Sequence, residues 1–143
     1  MTLDIELSAT HGDLLACLET VGHFGVAAKV GPEVMARARI VIEELYSNTI
    51  KYGYGGECER RVALRLCGGR PPEVALTVVY EDDAPPFDPT GWNCRDSRPS
   101  AAESLREGEA GLALLFGLAS GVAYEPRADG NRLIVVFNIP SRA

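Results

Sequence analysis

The segment from Gly31 to Gly56 constrains the fold of this chain more than any other, because it specifies one amphipathic helix with a defined start and end. Gly31-Pro32-Glu33 suits a first helical turn, since the fixed φ of proline fits that position and an acidic side chain favours the positive end of the helix dipole. The apolar positions that follow at helical spacing are Val34, Ala38, Val41 and Leu45. The glycines of YGYGG end the pattern after about Tyr52. The pattern predicts the best-defined helix of the chain, with one buried face.

The flanking segments predict strands and two further helices. Residues 3–9 alternate apolar and polar side chains, which is the period of a half-buried strand, and Thr10 can cap a helix over about 11–29. The apolar positions of that helix are Leu14, Leu15, Leu18, Val21 and Val26. Later strands are predicted over about 61–67, 73–80, 121–126 and 132–139, with a third helix over about 109–119. Grouped strands with helices between them favour an α+β fold with antiparallel neighbours and helices on one face.

Length and composition restrict the class of protein. A chain of 143 residues, 46% of them hydrophobic, suits a single folded domain spanning 1–143. Twenty acidic against 14 basic side chains argue against a sequence-blind nucleic-acid binder and against docking on anionic lipid. The four cysteines include no CxxC pair and the two histidines are distant from them, which argues against a zinc site and suits reduced thiols. With no signal peptide or membrane span in the sequence, we expect a cytoplasmic protein without nucleic-acid or membrane partners.

The end of the central helix, EELYSNTIKYGYGG, carries a first group of chemically useful side chains. Glu44 and Asn48 are four residues apart, so both leave one face of the helix, and Lys51 follows three residues later near that face. A carboxylate, an amide and an ammonium clustered in this way could serve as a base, a metal ligand and a phosphate contact. Glu–Lys pairs are also common on solvated helix faces, so this motif alone fits either a functional cluster or an ordinary exposed face.

Two later segments add further polar motifs. A predicted strand runs into VVYEDDAPPFDP, which places Asp82 at its end, and GEAGLALLFGLA opens a helix with glycines. The N-terminus of a helix offers free N–H groups to an anion. Between these two motifs, the segment of about 90–108 lacks an apolar period and is predicted to be a long mobile loop. Taken singly, the first motif also fits a charged turn and the second an ordinary helix start.

The order of the motifs is more specific than any one of them. EELxxNxIKYGY, a strand ending in DDxPPFDP, a loop and GxxGLxLL together resemble the nucleotide-binding motifs of the histidine-kinase-like ATPases. PPFDP and the closing VAYEPRADGNRLIVVF resemble the serine/threonine kinases that act as anti-sigma factors in bacterial partner-switching systems. The resemblance covers about residues 3–139. It implies the Bergerat ATP-binding fold, a two-layer α/β sandwich in which helices cover one face of a mixed, mostly antiparallel sheet.

The resemblance also implies ligands, partners and residue roles. Glu44 matches the general base towards a serine or threonine hydroxyl, Asn48 the ligand of Mg²⁺, and Lys51 a basic position near a phosphate of ATP. Asp82 matches the carboxylate that accepts a hydrogen bond from the adenine amino group. Further nucleotide contacts are implied at Ala84, Phe87, Gly108, Gly111 and Leu112, with about 90–108 as a lid over ATP. The implied partners are a sigma factor, an anti-sigma-factor antagonist and a second copy of the chain.

Two positions depart from the family pattern, and they keep a second hypothesis open. Ala84 and Glu109 stand where the family favours glycine, at places where the backbone approaches the nucleotide. The first hypothesis is an ATP-dependent serine/threonine protein kinase that acts as an anti-sigma factor and phosphorylates an antagonist. The alternative is a catalytically weak or inactive module of the same fold that sequesters a sigma factor or another regulator. A third interpretation is an unrelated α+β domain in which the motifs are coincidental.

Overall fold

The computed structural model describes residues 1–69, 74–87 and 117–140. This part of the chain forms five strands, two α-helices and one π-helical turn. In chain order they are β1 (Thr2–Ser8), α1 (His11–Ala27), α2 (Pro32–Asn48), the π-turn (Thr49–Gly53), β2 (Arg61–Gly68), β3 (Val74–Asp82), β4 (Gly121–Arg127) and β5 (Gly130–Asn138). The predicted third helix lies mostly outside the described residues, and the predicted lid, about 90–108, lies wholly outside them.

The five strands form one sheet in the order β1-β2-β3-β5-β4. Each of the four described pairings is antiparallel, in a sheet that the sequence predicted to be mixed and mostly antiparallel. The strand β3 is central and pairs with β2 on one side and β5 on the other. The α+β fold and the five strands are therefore confirmed, with bounds close to those predicted.

Both helices begin where the sequence predicted. At the start of α1, the backbone N–H of Asp13 donates to Thr10 Oγ1 at 3.1 Å, which satisfies one of the unpaired donors of the first turn. Pro32 is the first residue of α2. The predicted apolar stripe of α2 is buried, namely Val34, Ala38, Val41 and Leu45. This stripe joins the core between the helices and the sheet.

The buried face of α1 differs from the prediction. Leu15 and Val26 are 69% and 81% exposed, so two of the five predicted core positions are wrong. The buried residues of α1 are Leu14, Cys17, Val21, Phe24 and Gly25. Because an α-helix turns by about 100° per residue, Leu15 is rotated away from the stripe that begins at Leu14. The three-to-four-residue spacing through Cys17 marks the true core face.

The helix α2 ends earlier than the sequence predicted. Its α-helical part stops at Asn48, and Thr49–Gly53 continues as a π-helical turn in which the Tyr54 N–H donates to the Thr49 carbonyl at 2.8 Å. Gly55 and Gly56 follow with φ of 74° and 140°, a region that favours glycine. The π-turn is a rare conformation that often occurs at functional sites. It directs the chain towards β2. Its first residue, Thr49, lies four residues after Leu45 and is buried with it.

The alternation of β3 decides which side chains face the helices. Leu76, Val78 and Tyr80 are buried on the helix side, and Asp82 ends the same row at 6% exposure. The residues between them, such as Glu81, lie on the opposite face of the sheet. This register places one carboxylate inside the core layer, at the end of the central strand. No helix in the described ranges is long and apolar enough to cross a membrane.

Candidate functional site

The helix α2 carries the first group of predicted site residues. Glu44 and Asn48 both lie within its α-helical part, so they stand one turn apart on one face, and both are half-buried. Glu43, one helical step away, is exposed. Lys51 is also exposed and lies in the π-turn, where the α-helical spacing that placed it near the face of Asn48 does not apply. The structure therefore keeps the carboxylate–amide pair on one helix face and puts the lysine on the following turn.

Asp82 lies at the centre of a buried hydrogen-bond network. Its Oδ2 accepts from Thr49 Oγ1 at 2.8 Å, and its Oδ1 accepts from Asn131 Nδ2 at 2.9 Å and from the Ala84 N–H at 3.2 Å. A buried carboxylate needs such donors, since an unpaired buried charge is costly. A carboxylate offers about four lone-pair positions, and these contacts use three of them. Within the described residues one acceptor position therefore remains on Oδ2, which fits an N–H donor such as the amino group of a purine.

Asn131 joins the segment that follows β3 to strand β5. Its Nδ2 lies 3.3 Å from the carbonyl oxygen of Ala84 and 3.2 Å from that of Pro85. Its Oδ1 accepts from the Phe87 N–H at 2.8 Å and from the Tyr124 hydroxyl at 2.7 Å. A single carboxamide thus contacts both the carboxylate network and the backbone of the PPF segment. This geometry makes Asn131 part of the candidate site.

The sequence analysis missed three residues of this network: Thr49 and Asn131, which donate to Asp82, and Tyr80, whose hydroxyl lies 2.6 Å from Thr49 Oγ1. Thr49 lies four residues after the buried Leu45, so the apolar period of α2, continued by one more step, was the signal that could have identified it as a buried position. Asn131 pairs with Asp82 in the register of β3 and β5. A polar residue at the start of a strand that is otherwise rich in Leu, Ile and Val was the signal that could have identified it.

The structure places Ala84 beside Asp82 and links the backbone of Phe87 to the network through Asn131. Ala84 is buried, whereas Phe87 is 51% exposed. Among the described non-glycine residues only Lys29 has a positive φ, so the backbone of Ala84 does not require glycine. A Cβ atom at Gly53 would lie 2.9 Å from the Ala84 methyl group, so glycine is required on the π-turn instead. Gly108, Gly111 and Leu112, together with Glu109, lie outside the described residues.

On the opposite face of the sheet, ion pairs hold the end of β3. Glu81 Oε2 accepts from Arg132 Nε at 2.5 Å, and Oε1 accepts from Arg61 at 3.1 Å. Burial raises the pKa of Glu81, but the hydrogen bonds from Arg132 and Arg61 outweigh it, and the net pKa is below the ordinary value. Arg127 donates to the Asp83 carboxylate at 3.0 Å. These contacts fix the strand end from which Asp82 projects into the core.

Comparison with known proteins identifies the fold and the family of this chain. The crystal structure of the RsbU and RsbW domains of Rv1364c from Mycobacterium tuberculosis matches with a TM-score of 0.65 at 15% identity, covering 99% of this chain and 34% of that one. The chain thus spans about a third of that protein, and at this identity the likeness concerns the fold. The search of curated proteins gave no match. The sequence model of the histidine kinase-like ATPase domain family matches residues 7–137 of this chain. Since this match covers most of the sequence, the chain belongs to the histidine kinase-like ATPase domain family, whose members are ATP-binding domains.

Proposed function

We propose that this domain binds Mg-ATP and acts as a serine/threonine protein kinase of the anti-sigma-factor type, which phosphorylates an anti-sigma-factor antagonist. The observation that carries the proposal is Asp82, a buried carboxylate with one remaining acceptor position. Its donor Thr49 directly follows the helix that bears Glu44 and Asn48. Family membership supports ATP as the ligand, and the motifs of the sequence support the kinase branch.

Each residue has a distinct task in this proposal. Asp82 accepts a hydrogen bond from the adenine amino group, and the amide oxygen of Asn48 suits Mg²⁺, which commonly takes only one or two protein ligands beside phosphate oxygens. Bound Mg-ATP supplies the phosphoryl group. Glu44, half-buried and one turn from Asn48, can take the proton of a partner serine or threonine, whose hydroxyl is a poor nucleophile until it loses that proton. Lys51, exposed on the π-turn, suits a phosphate contact.

The test of the kinase mechanism is a substitution that removes the base and keeps its shape. Because loss of a general base commonly costs about 10²–10⁴-fold in rate, Glu44→Gln should lower phosphoryl transfer by that factor. Mg-ATP binding should change little. The measurement is transfer from labelled ATP to a purified antagonist protein, with calorimetric titration of Mg-ATP alongside.

Glu43→Gln is the matched control, because it makes the same change on the exposed side of the same helix turn. It should leave transfer close to that of the wild type. Undiminished transfer in Glu44→Gln, or equal losses in both variants, would contradict the assignment of the base.

The second candidate function is a binding module that sequesters a sigma factor without turnover of ATP. Two observations favour it: the Ala84 methyl group occupies the space above Gly53, and Glu109 replaces a glycine of the family pattern. A thermal-shift series with Mg-ATP first tests ATP binding, which both candidates allow, since a ligand at 100 times its Kd stabilises by about 2.7 kcal/mol. ATP binding without transfer to any antagonist, together with retention of a sigma factor, would favour the module over the kinase.

A further inference from the structure

Three buried side chains form a chain of hydrogen bonds in the candidate site, with Thr49 between Tyr80 and Asp82 of β3. The Tyr80 hydroxyl lies 2.6 Å from Thr49 Oγ1, and Thr49 Oγ1 lies 2.8 Å from Asp82 Oδ2. The carbonyl oxygen of Leu45 offers a second acceptor, 3.1 Å from the threonine and 3.3 Å from the tyrosine. Each hydroxyl carries one hydrogen, so the two groups cannot make all of these bonds at once.

The charge of Asp82 decides between the arrangements. A hydrogen bond to an ionised acceptor is about twice as strong as a neutral one, so Thr49 donates to Asp82 and not to Leu45. Tyr80 then donates to Thr49, its nearer partner. Burial raises the pKa of Tyr80 well above its ordinary value, so its phenol keeps the proton that it donates. Successive hydrogen bonds of this kind strengthen one another.

We propose that Thr49, oriented by Tyr80, is a positioning residue that sets the purine selectivity of the site. The inference rests on the proposed nucleotide function. Thr49 occupies one position of Asp82 Oδ2 with a directed O–H, which leaves the remaining lone pair for a ligand donor. A 6-amino purine presents N–H at that point, whereas a 6-oxo purine presents an acceptor against an acceptor. Because the threonine hydrogen is committed to Asp82, it cannot turn to serve the 6-oxo group.

The experiment compares the affinities for Mg-ATP and Mg-GTP by calorimetric titration in wild type and four variants. Thr49→Val keeps the shape of the side chain and removes the hydroxyl, and we expect the ATP-to-GTP affinity ratio to fall about tenfold, equivalent to 1.4 kcal/mol. Thr49→Ser restores the donor and should recover most of the ratio. Tyr80→Phe removes the hydrogen bond that strengthens the donation of Thr49 to Asp82, so the ratio should fall by a smaller factor of about three.

Tyr46→Phe is the control for loss of a buried phenol, since the Tyr46 hydroxyl donates to the Ser8 carbonyl at 2.5 Å, outside the network. It should lower the melting temperature and leave the ratio unchanged. An unchanged ratio in folded Thr49→Val overturns the inference alone. If that variant does not fold, Tyr80→Phe decides: a reduced ratio supports the inference and an unchanged one overturns it. Wild-type protein that binds neither nucleotide overturns the proposed function and the inference together.

Discussion

Asn131 connects several parts of the candidate site, because its side chain contacts Asp82, the backbone of the PPF segment and Tyr124. Replacing its amide by a carboxylate removes the Nδ2 donor to Asp82 and places a second negative charge beside it. Like charges at this distance repel, and a hydrogen bond to a charged group is worth about 1.5–3 kcal/mol. We therefore expect Asn131→Asp to weaken Mg-ATP binding by about tenfold or more, measured by calorimetric titration.

The control for that substitution lies on the same strand. Asn138 is exposed at the far end of β5, so Asn138→Asp makes the same chemical change without touching the network. Its affinity for Mg-ATP should stay within about twofold of the wild type, because screened surface charges contribute little. Equal weakening in both variants would mean that Asn131 acts through the overall charge and not through its contact with Asp82.

At the level of single elements, α1 shows how packing decides the effect of a glycine. A Cβ atom at Gly25 would lie 2.6 Å from the Met35 side chain, whereas one at Gly22 would meet only Arg39 Nη1 at 3.9 Å. Overpacking costs about 1–3 kcal/mol, and alanine in a helix gains about 0.5–1 kcal/mol over glycine. Gly25→Ala should thus lower the free energy of unfolding by about 1 kcal/mol, and Gly22→Ala should raise it by a few tenths or more.

Urea unfolding of both glycine variants beside the wild type checks this prediction. The two positions lie in the same helix, so a difference in sign isolates the contact with Met35 from the general preference of helices for alanine. Stabilisation by Gly25→Ala would show that Met35 moves aside at little cost, as flexible methionine side chains sometimes do.

For the whole molecule, buried and ion-paired groups predict how stability varies with pH. The pKa of Glu81 is below its ordinary value, so its contribution to the free energy of unfolding is present at neutral pH and is lost as the pH falls. Burial raises the pKa of Cys17 from 9.0 to about 11. The contribution of Cys17 to the free energy of unfolding is therefore present below pH 9.0 and is lost as the pH rises towards about 11. Burial raises the pKa of Tyr46 in the same direction.

We expect a plateau of stability around neutral pH with a decline on each side. Urea unfolding in reducing buffer at a series of pH values measures it. Glu81→Gln should flatten the acid side, and Cys17→Ala should flatten part of the alkaline side, since Tyr46 still titrates in that variant. The variants are compared by the slope of the free energy of unfolding against pH, because both substitutions also change the stability at neutral pH. Slopes identical to those of the wild type would rule out these two groups as the cause.

The sequence by itself determined the elements of the fold, because period and capping are local properties. The alternation of residues 3–9, the cap at Thr10 and the stripe of α2 each depend on neighbours a few residues apart. The same locality put Glu44 and Asn48 on one helix face. The order of three motifs then sufficed to identify the family.

Only the tertiary structure decided how the site is assembled. Thr49 and Asp82 are 33 residues apart and Asp82 and Asn131 are 49 apart, and no local pattern links them. Their contacts depend on how the end of α2 packs against β3 and on the register of β5 beside β3. Both features follow from packing across the sheet, since a buried carboxylate must find donors wherever the fold brings them. The acceptor position left on Asp82 is therefore a property of the folded chain.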